Sequence, residues 1–285
     1  VKSGILINSY RAPLEECLPL AAAAGVDGIQ LYAKGPFYNL LEWTPEELDR
    51  LRRTAATHQL EISALCAELG GHGFQIARDN PARIETTKRI IDIAGRLGAG
   101  VITTHIGVIP EQESDPRYPV MLEAMKTLGD YAQQRGIAIG IETGPEAAEV
   151  LVRFLEQTAG GVGVNFDPAN LVMVRNDDPV RAAAVFGSHV VYSHFKDGVH
   201  YRDCDPARVY QAFAEGGFEQ LVAETGTLFA EVPPGSGSVD FPACLAELER
   251  HGYDGYLTIE RETGSDPQAD ILAAVTYLKQ LIKEK

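Results

Sequence analysis

The strongest constraint on this chain is the return of a short aliphatic run eight times in 285 residues. The runs are Gly4–Ser9, Gly28–Tyr32, Leu60–Ala67, Val101–Ile106, Ile137–Thr143, Gly161–Phe166, Val190–Lys196 and Tyr253–Glu260. Between them lie segments with helical periodicity and explicit stop and start signals. Thr44-Pro-Glu-Glu47 reads as a capping box with proline at the first helical position. Met121, Met125, Leu128 and Ala132 fall on one helical face, and Gly25, Gly98 and Gly136 stand where helices should stop. Strand and helix alternating at roughly 30 residues per unit imply parallel strands joined by right-handed crossovers. Eight units favour closure, and no GxGxxG follows the first strand as an open dinucleotide-binding sheet would require. The expected fold is α/β, a single (β/α)₈ TIM barrel spanning residues 1–285. Asp197 to about Gly237 reads as a long irregular segment with one helix from Pro206 to Ala214.

Charge narrows the partners. Forty acidic against twenty-five basic side chains give a formal net charge of −15, which repels a phosphate backbone and argues against nucleic acid. No apolar run approaches the roughly 20 residues of a membrane helix, so no membrane partner is expected. Cys17, Cys66, Cys204 and Cys244 form no CxxC pair. They fit reduced thiols in a cytoplasmic protein. Assembly into a homo-oligomer is compatible with this reading.

Side chains alternate along a strand, so residues two apart share a face. Ala138, Gly140 and Glu142 oppose Ile137, Ile139 and Ile141; Gly163, Asn165 and Asp167 oppose Val162, Val164 and Phe166. Tyr256, Thr258 and Glu260 repeat the pattern, as do Tyr192, His194 and Lys196, and Thr103 with His105. The aliphatic sets suit helices packed outside; the small and polar sets point inward, with their last members at the C-terminal mouth where barrel active sites sit. Three carboxylates converging there would repel one another without a cation. Glu142, Asp167, His194 and Glu260 make an oxygen-rich ligand set with one imidazole, which suits one divalent metal ion: Mn²⁺ first, with Mg²⁺, Co²⁺ or Zn²⁺ as alternatives. Around them, His105, Glu68 and His72 are candidates for holding substrate hydroxyls. Lys196 is a candidate to polarise a carbonyl or bind an anion, or else to pair with Asp197, and Arg202 to close over the substrate.

Ile141-Glu142-Thr143, Asn165-Phe-Asp-Pro-Ala-Asn170, Ser193-His-Phe-Lys-Asp197 and Leu257-Thr-Ile-Glu260 resemble the metal-site strands of the xylose isomerase-like barrel superfamily. That superfamily includes sugar-phosphate isomerase/epimerase proteins, ketose 3-epimerases and inosose dehydratases. Pro233–Phe241 is similar to its Gly-rich loop before the last helix, with Ser236 where many relatives carry an acidic residue. The resemblance implies a metal-dependent isomerase or epimerase acting on a carbohydrate, keto-sugar or polyol. Glu142 and Glu260 would both bind the metal and serve as the catalytic acid/base pair on opposite faces of the sugar, through an enediolate. A lyase that expels a β-hydroxyl or cleaves a C–glycoside is the alternative. An apurinic-site endonuclease fits less well: Asn170 stands where its extra histidine is expected, and His200-Tyr-Arg-Asp contains no Asp-x-His. A sugar-binding barrel without catalysis would be expected to lack one of the ligands.

Overall fold

A computed structural model describes residues 1–158 and 160–283. Strands β1 (Lys2–Leu6), β2 (Gly28–Tyr32), β3 (Glu61–Cys66), β4 (Val101–Thr104), β5 (Ala138–Glu142), β6 (Val162–Phe166), β7 (Val190–Phe195) and β10 (Tyr256–Ile259) form a closed parallel barrel. Each pairs with its neighbour in chain order, and β10 closes the ring between β7 and β1. The expected (β/α)₈ barrel is therefore the fold. Helices α1 (Leu14–Ala24), α2 (Pro45–Thr57), α3 (Asn80–Leu97), α4 (Arg117–Gln133), α5 (Ala148–Leu155), α6 (Pro168–Arg175), α7 (Pro179–Phe186), α10 (Phe241–Arg250) and α11 (Pro267–Lys283) follow the barrel strands.

The aliphatic face of the strands meets these helices, as the alternation requires. Ile139, Ile141, Val164, Phe166, Leu257 and Ile259 are buried in one continuous apolar layer with Ile90, Met121, Phe154 and Leu278. The capping box of α2 forms as read, Thr44 accepting from the Glu47 amide and the Glu47 carboxylate accepting from the Thr44 amide. Inside the barrel the layer is polar and internally bonded. The Tyr192 hydroxyl lies 2.7 Å from Ser63 Oγ and 2.6 Å from Thr258 Oγ1. One layer nearer the mouth, Gln30 Nε2 donates to Thr103 Oγ1 at 2.7 Å. A bonded network of this kind has little freedom to rearrange, so it makes a rigid floor for whatever sits above it.

One expectation is corrected. The segment after β7 is ordered: β8 (Asp197–His200) and β9 (Phe229–Val232) form an antiparallel hairpin carrying α8 (Pro206–Glu215) and α9 (Phe218–Thr225) at its tip. Its buried residues Val209, Leu221 and Leu228 pack on Ala169, Met173 and Val174 of α6, a small core apart from the barrel's own. Helix α5 begins only at Ala148, because Ala147 is extended. Along α11, Ile271, Ala274, Val275 and Leu278 are buried while Leu272 is exposed.

Asp197 holds the root of the hairpin rather than pairing with Lys196. Its fully buried carboxylate accepts from the amides of Gly198, Gly235, Gly237 and Val239 at 2.8–3.1 Å. A Cβ at Gly237 would collide with that carboxylate, so glycine is required where the chain passes it. Asp197→Ala leaves these buried amides unpaired. It is expected to cost about 3 kcal/mol or more of unfolding free energy, read from urea denaturation.

Candidate metal centre

Glu142, Asp167 and His194 lie at the C-terminal ends of β5, β6 and β7, and Glu260 follows the last residue of β10. One ligand atom from each of the four lies within 4.8 Å of the others, and all four residues are buried. Each is oriented by a partner. Pro168 opens α6 as well as ending β6, so Asp167 becomes the N-cap of that helix, its Oδ1 accepting from the Asn170 amide at 3.0 Å. Its Oδ2 is left facing His194 Nδ1 at 3.4 Å. The other imidazole nitrogen, Nε2, lies 3.1 Å from Gln30 Oε1. The Gln30 amide nitrogen is already donating to Thr103, so Gln30 Oε1 accepts and the proton belongs on Nε2. That leaves Nδ1 as the nitrogen facing the three carboxylates, 3.2 Å from Glu260 Oε2 and 3.7 Å from Glu142 Oε1, and the one that would turn its lone pair to a cation held among them.

The two other carboxylates differ in their company. Glu142 accepts from two amides, Asn170 Nδ2 at 3.0 Å on Oε1 and Asn165 Nδ2 at 3.3 Å on Oε2. Glu260 Oε2 accepts from the ammonium of Lys196 at 3.0 Å, and Lys196 also binds Glu262. Burial pushes the Glu142 carboxyl up, but His105 and His194 outweigh it and the net direction is down. Burial also raises Glu260, against which Lys196 and His194 hold it below the usual carboxylate range. For His194, burial lowers the pKa while Glu260 and Glu142 raise it, leaving the imidazole well above its ordinary value.

The residues fit a metal on an observation independent of residue type. Asp167 Oδ2 and His194 Nδ1 are both fully buried and neither makes a hydrogen bond. Two orphaned donor atoms at the centre of one ligand set are what a cation would satisfy. A divalent ion with oxygen ligands and one imidazole matches the set; its identity is not fixed by it.

The other expected site residues are divided. Glu68 accepts from the amides of Gly70 at 2.6 Å and His105 at 3.1 Å. His105 sits between Glu68 (3.5 Å) and Glu142 (3.9 Å), its Nε2 buried and unbonded. Burial lowers this imidazole, but Glu142 and Glu68 raise it to about 9. Glu68, His105 and Lys196 line the metal compartment with Glu142 and Glu260. His72 instead lines the neighbouring hollow and faces Glu215 of α8 at 3.5 Å. Arg202 is exposed, lines neither hollow, and lies with its guanidinium beside Gly226. His200 is engaged by the Met173 carbonyl and Asp203, away from the ligands.

Several site residues were missed. Gln30 is the one polar side chain in Gly28–Tyr32, on the face shared with Gly28 and Tyr32, and that parity was a usable signal. Asn165 carried the same signal. Tyr210 and Phe213 reach the site from α8, a contact that depends on hairpin packing and leaves no local trace in the sequence. Glu146 is buried beyond β5 with Oε2 unbonded, and burial pushes its carboxyl up to about 8. Its ordinary value is 4.5, so between these values the folded state keeps a proton that the unfolded state has released. Stability therefore falls as pH rises through that window, by about 1.4 kcal/mol per pH unit from this group. Glu146→Gln is expected to flatten the fall of melting temperature between about pH 5 and 8, and a scan across that range checks it.

A parallel barrel with a buried carboxylate–imidazole quartet at its mouth defines a class of metal-dependent proteins built on strand-end ligands. The Xylose isomerase-like TIM barrel family matches residues 18–281, and the chain belongs to that family. Its curated relatives are distant and divided in activity. Inosose dehydratase of Geobacillus thermodenitrificans is 22% identical over 276 residues, covering 93% of this chain and 89% of that protein. L-ribulose-5-phosphate 3-epimerase UlaE of Salmonella paratyphi C is 24% identical over 289 residues, covering 94% and 90%. Among solved structures, a xylose isomerase domain protein from Planctomyces limnophilus superposes with a TM-score of 0.76 at 26% identity, covering 94% of this chain and 91% of that one. The family thus places the chain among metal-dependent sugar epimerases and dehydratases. Among the described residues, no helix is long and apolar enough to cross a membrane.

Proposed function

We propose that the protein is a divalent-metal-dependent isomerase or epimerase of a sugar, keto-sugar or polyol, with Glu142 and Glu260 as its acid/base pair. The observation that carries this is the quartet itself, complete and buried, with Asp167 Oδ2 and His194 Nδ1 unbonded at its centre. Held by these four residues, a divalent ion supplies Lewis acidity to an adjacent carbonyl oxygen; Mn²⁺ is the reading adopted. Gln30 fixes the His194 tautomer, and Asp167 is held by its cap to α6. One glutamate takes the proton from the carbon beside the carbonyl and the other returns one, giving inversion or an aldose–ketose shift. Their unlike partners, two neutral amides on Glu142 and an ammonium on Glu260, make the two carboxylates inequivalent in basicity, as an acid/base pair requires. Glu68 and His105 line the same compartment and hold substrate hydroxyls. Lys196 keeps Glu260 in place, and the compartment opens to a small carbohydrate.

The dehydratase among the relatives supports a second reading, in which the same proton removal is followed by loss of a β-hydroxyl. Incubating the metal-loaded protein with a panel of ketoses and inososes in deuterated water separates the two. Deuterium entering carbon without loss of mass balance supports the epimerase; release of water from the product supports the lyase. Absence of exchange from every sugar would overturn both.

A further inference from the structure

The compartment at the quartet is a hollow of about 350 Å³, and the α8–α9 cap supplies part of its wall. The barrel strands bring the ligand carboxylates to it; α8 brings Tyr210. This residue lies where the compartment meets the neighbouring hollow, lining both. Its ring packs against the His105 imidazole, with centroids 5.5 Å apart. We propose that Tyr210 binds the substrate, its hydroxyl donating to an oxygen of the sugar on the Glu142 side, and so helps to decide which sugar is accepted. The inference rests on the sugar reading above and deepens it.

Two independent observations place the hydroxyl. A Cβ at Gly144, two residues beyond Glu142, would collide with Tyr210 Oη. Gly144 has no positive φ that would call for glycine on backbone grounds. Glycine is needed there because a side chain from the cap fills the space, so the hydroxyl is held against the β5–α5 connection. The surrounding charges agree with that position. Burial raises the phenol well above its ordinary pKa, and Glu142, Glu146 and Asp167 add to the rise against Lys196.

The hydroxyl is also uncommitted. Tyr192 is bonded to Ser63 and Thr258, Tyr131 to Asp92, and Tyr253 donates to the Tyr256 carbonyl. Tyr210 Oη has no hydrogen-bond partner among the described residues. A polar group that lines a hollow without a protein partner is available to a ligand. A phenol is a neutral donor, so it can serve a sugar oxygen without adding charge beside three carboxylates. A site that hydrogen-bonds a substrate oxygen also rejects analogues that lack it, which makes such a contact a determinant of specificity.

The test uses the Mn²⁺-loaded protein and whichever of D-fructose, D-psicose and scyllo-inosose takes up deuterium from the solvent. Tyr210→Phe removes the hydroxyl alone. It is expected to lower kcat/KM by at least about 10-fold, chiefly through KM, because the contact is made to bound sugar and transition state alike. Melting temperature and the Kd for Mn²⁺ should stay at their wild-type values, since the hydroxyl serves no protein partner. Gly144→Ala should bring a similar loss by pushing the ring out of place. Once the ring is displaced its hydroxyl has no contact to lose, so the double variant should be little slower than Gly144→Ala alone. A kcat/KM for Tyr210→Phe within about 2-fold of wild type, or losses that multiply in the double variant, would overturn the assignment. So would a loss in Tyr210→Phe matched by weaker Mn²⁺ binding or a lower melting temperature, which marks a structural role. Each of these outcomes leaves the sugar reading standing; if the wild-type protein exchanges none of the three sugars, both fall.

Discussion

Replacing Asp167 by asparagine is expected to weaken divalent-metal binding by more than about 100-fold while leaving α6 capped. The amide oxygen can still accept from the Asn170 amide, as Oδ1 does now. What disappears is the unbonded anionic Oδ2 facing His194. Loss of one ligand charge removes more than the 10- to 100-fold attributed to outer partners alone. The readout is the rise in melting temperature on adding metal. At 100 times Kd the wild-type protein should gain about 2.7 kcal/mol, and the variant at the same metal concentration should gain almost nothing. Without metal the variant should be no less stable than wild type, because one of three crowded carboxylates has lost its charge. Equal Kd values for the two proteins would remove Asp167 from the site.

Glu142→Gln and Glu260→Gln are each expected to lower turnover by about 10²–10⁴-fold on whichever sugar exchanges deuterium, the usual contribution of a positioned acid or base. Because both residues are also proposed ligands, metal content has to be measured beside kcat. A glutamine variant that retains metal and loses turnover reports proton transfer; one that loses both reports ligation. If the pair acts as a unit, the double variant should be little slower than the worse single one. Turnover retained by both singles would sink the acid/base assignment while leaving the fold untouched.

Much of this was legible in the chain. Strand parity alone placed Glu142, Asp167, His194 and Glu260 at one mouth, because a period of two is fixed by backbone geometry and survives any tertiary context. Helix ends were legible where a residue type forces them, as at Gly25 and Thr44. The hairpin after β7 was not. Its strands are only four residues each and are held by Asp197, whose four amide partners include Gly235, Gly237 and Val239, some forty residues away. Pro168 both ends β6 and, through the same fixed φ, starts α6, a double role that a strand pattern alone does not reveal. Pairing with Asp197 was one of two readings for Lys196; adjacent residues on a strand face opposite ways, and the ammonium went to Glu260 and Glu262 instead.

The small core between α6 and the α8–α9 cap is a packing unit of its own, distinct from the layer around the barrel. The cap's buried residues share their burial with Ala169, Met173 and Val174, and not with the aliphatic layer around the barrel. In hydrogen-exchange terms this is an expected foldon boundary: amides of α8 and α9 should exchange by openings that leave the strands protected. Natural variation can therefore reshape Tyr210, Phe213 and their neighbours while the strand-end ligands stay where the barrel puts them. Distant members of one family can then keep a common ligand set and differ in the substrate placed above it.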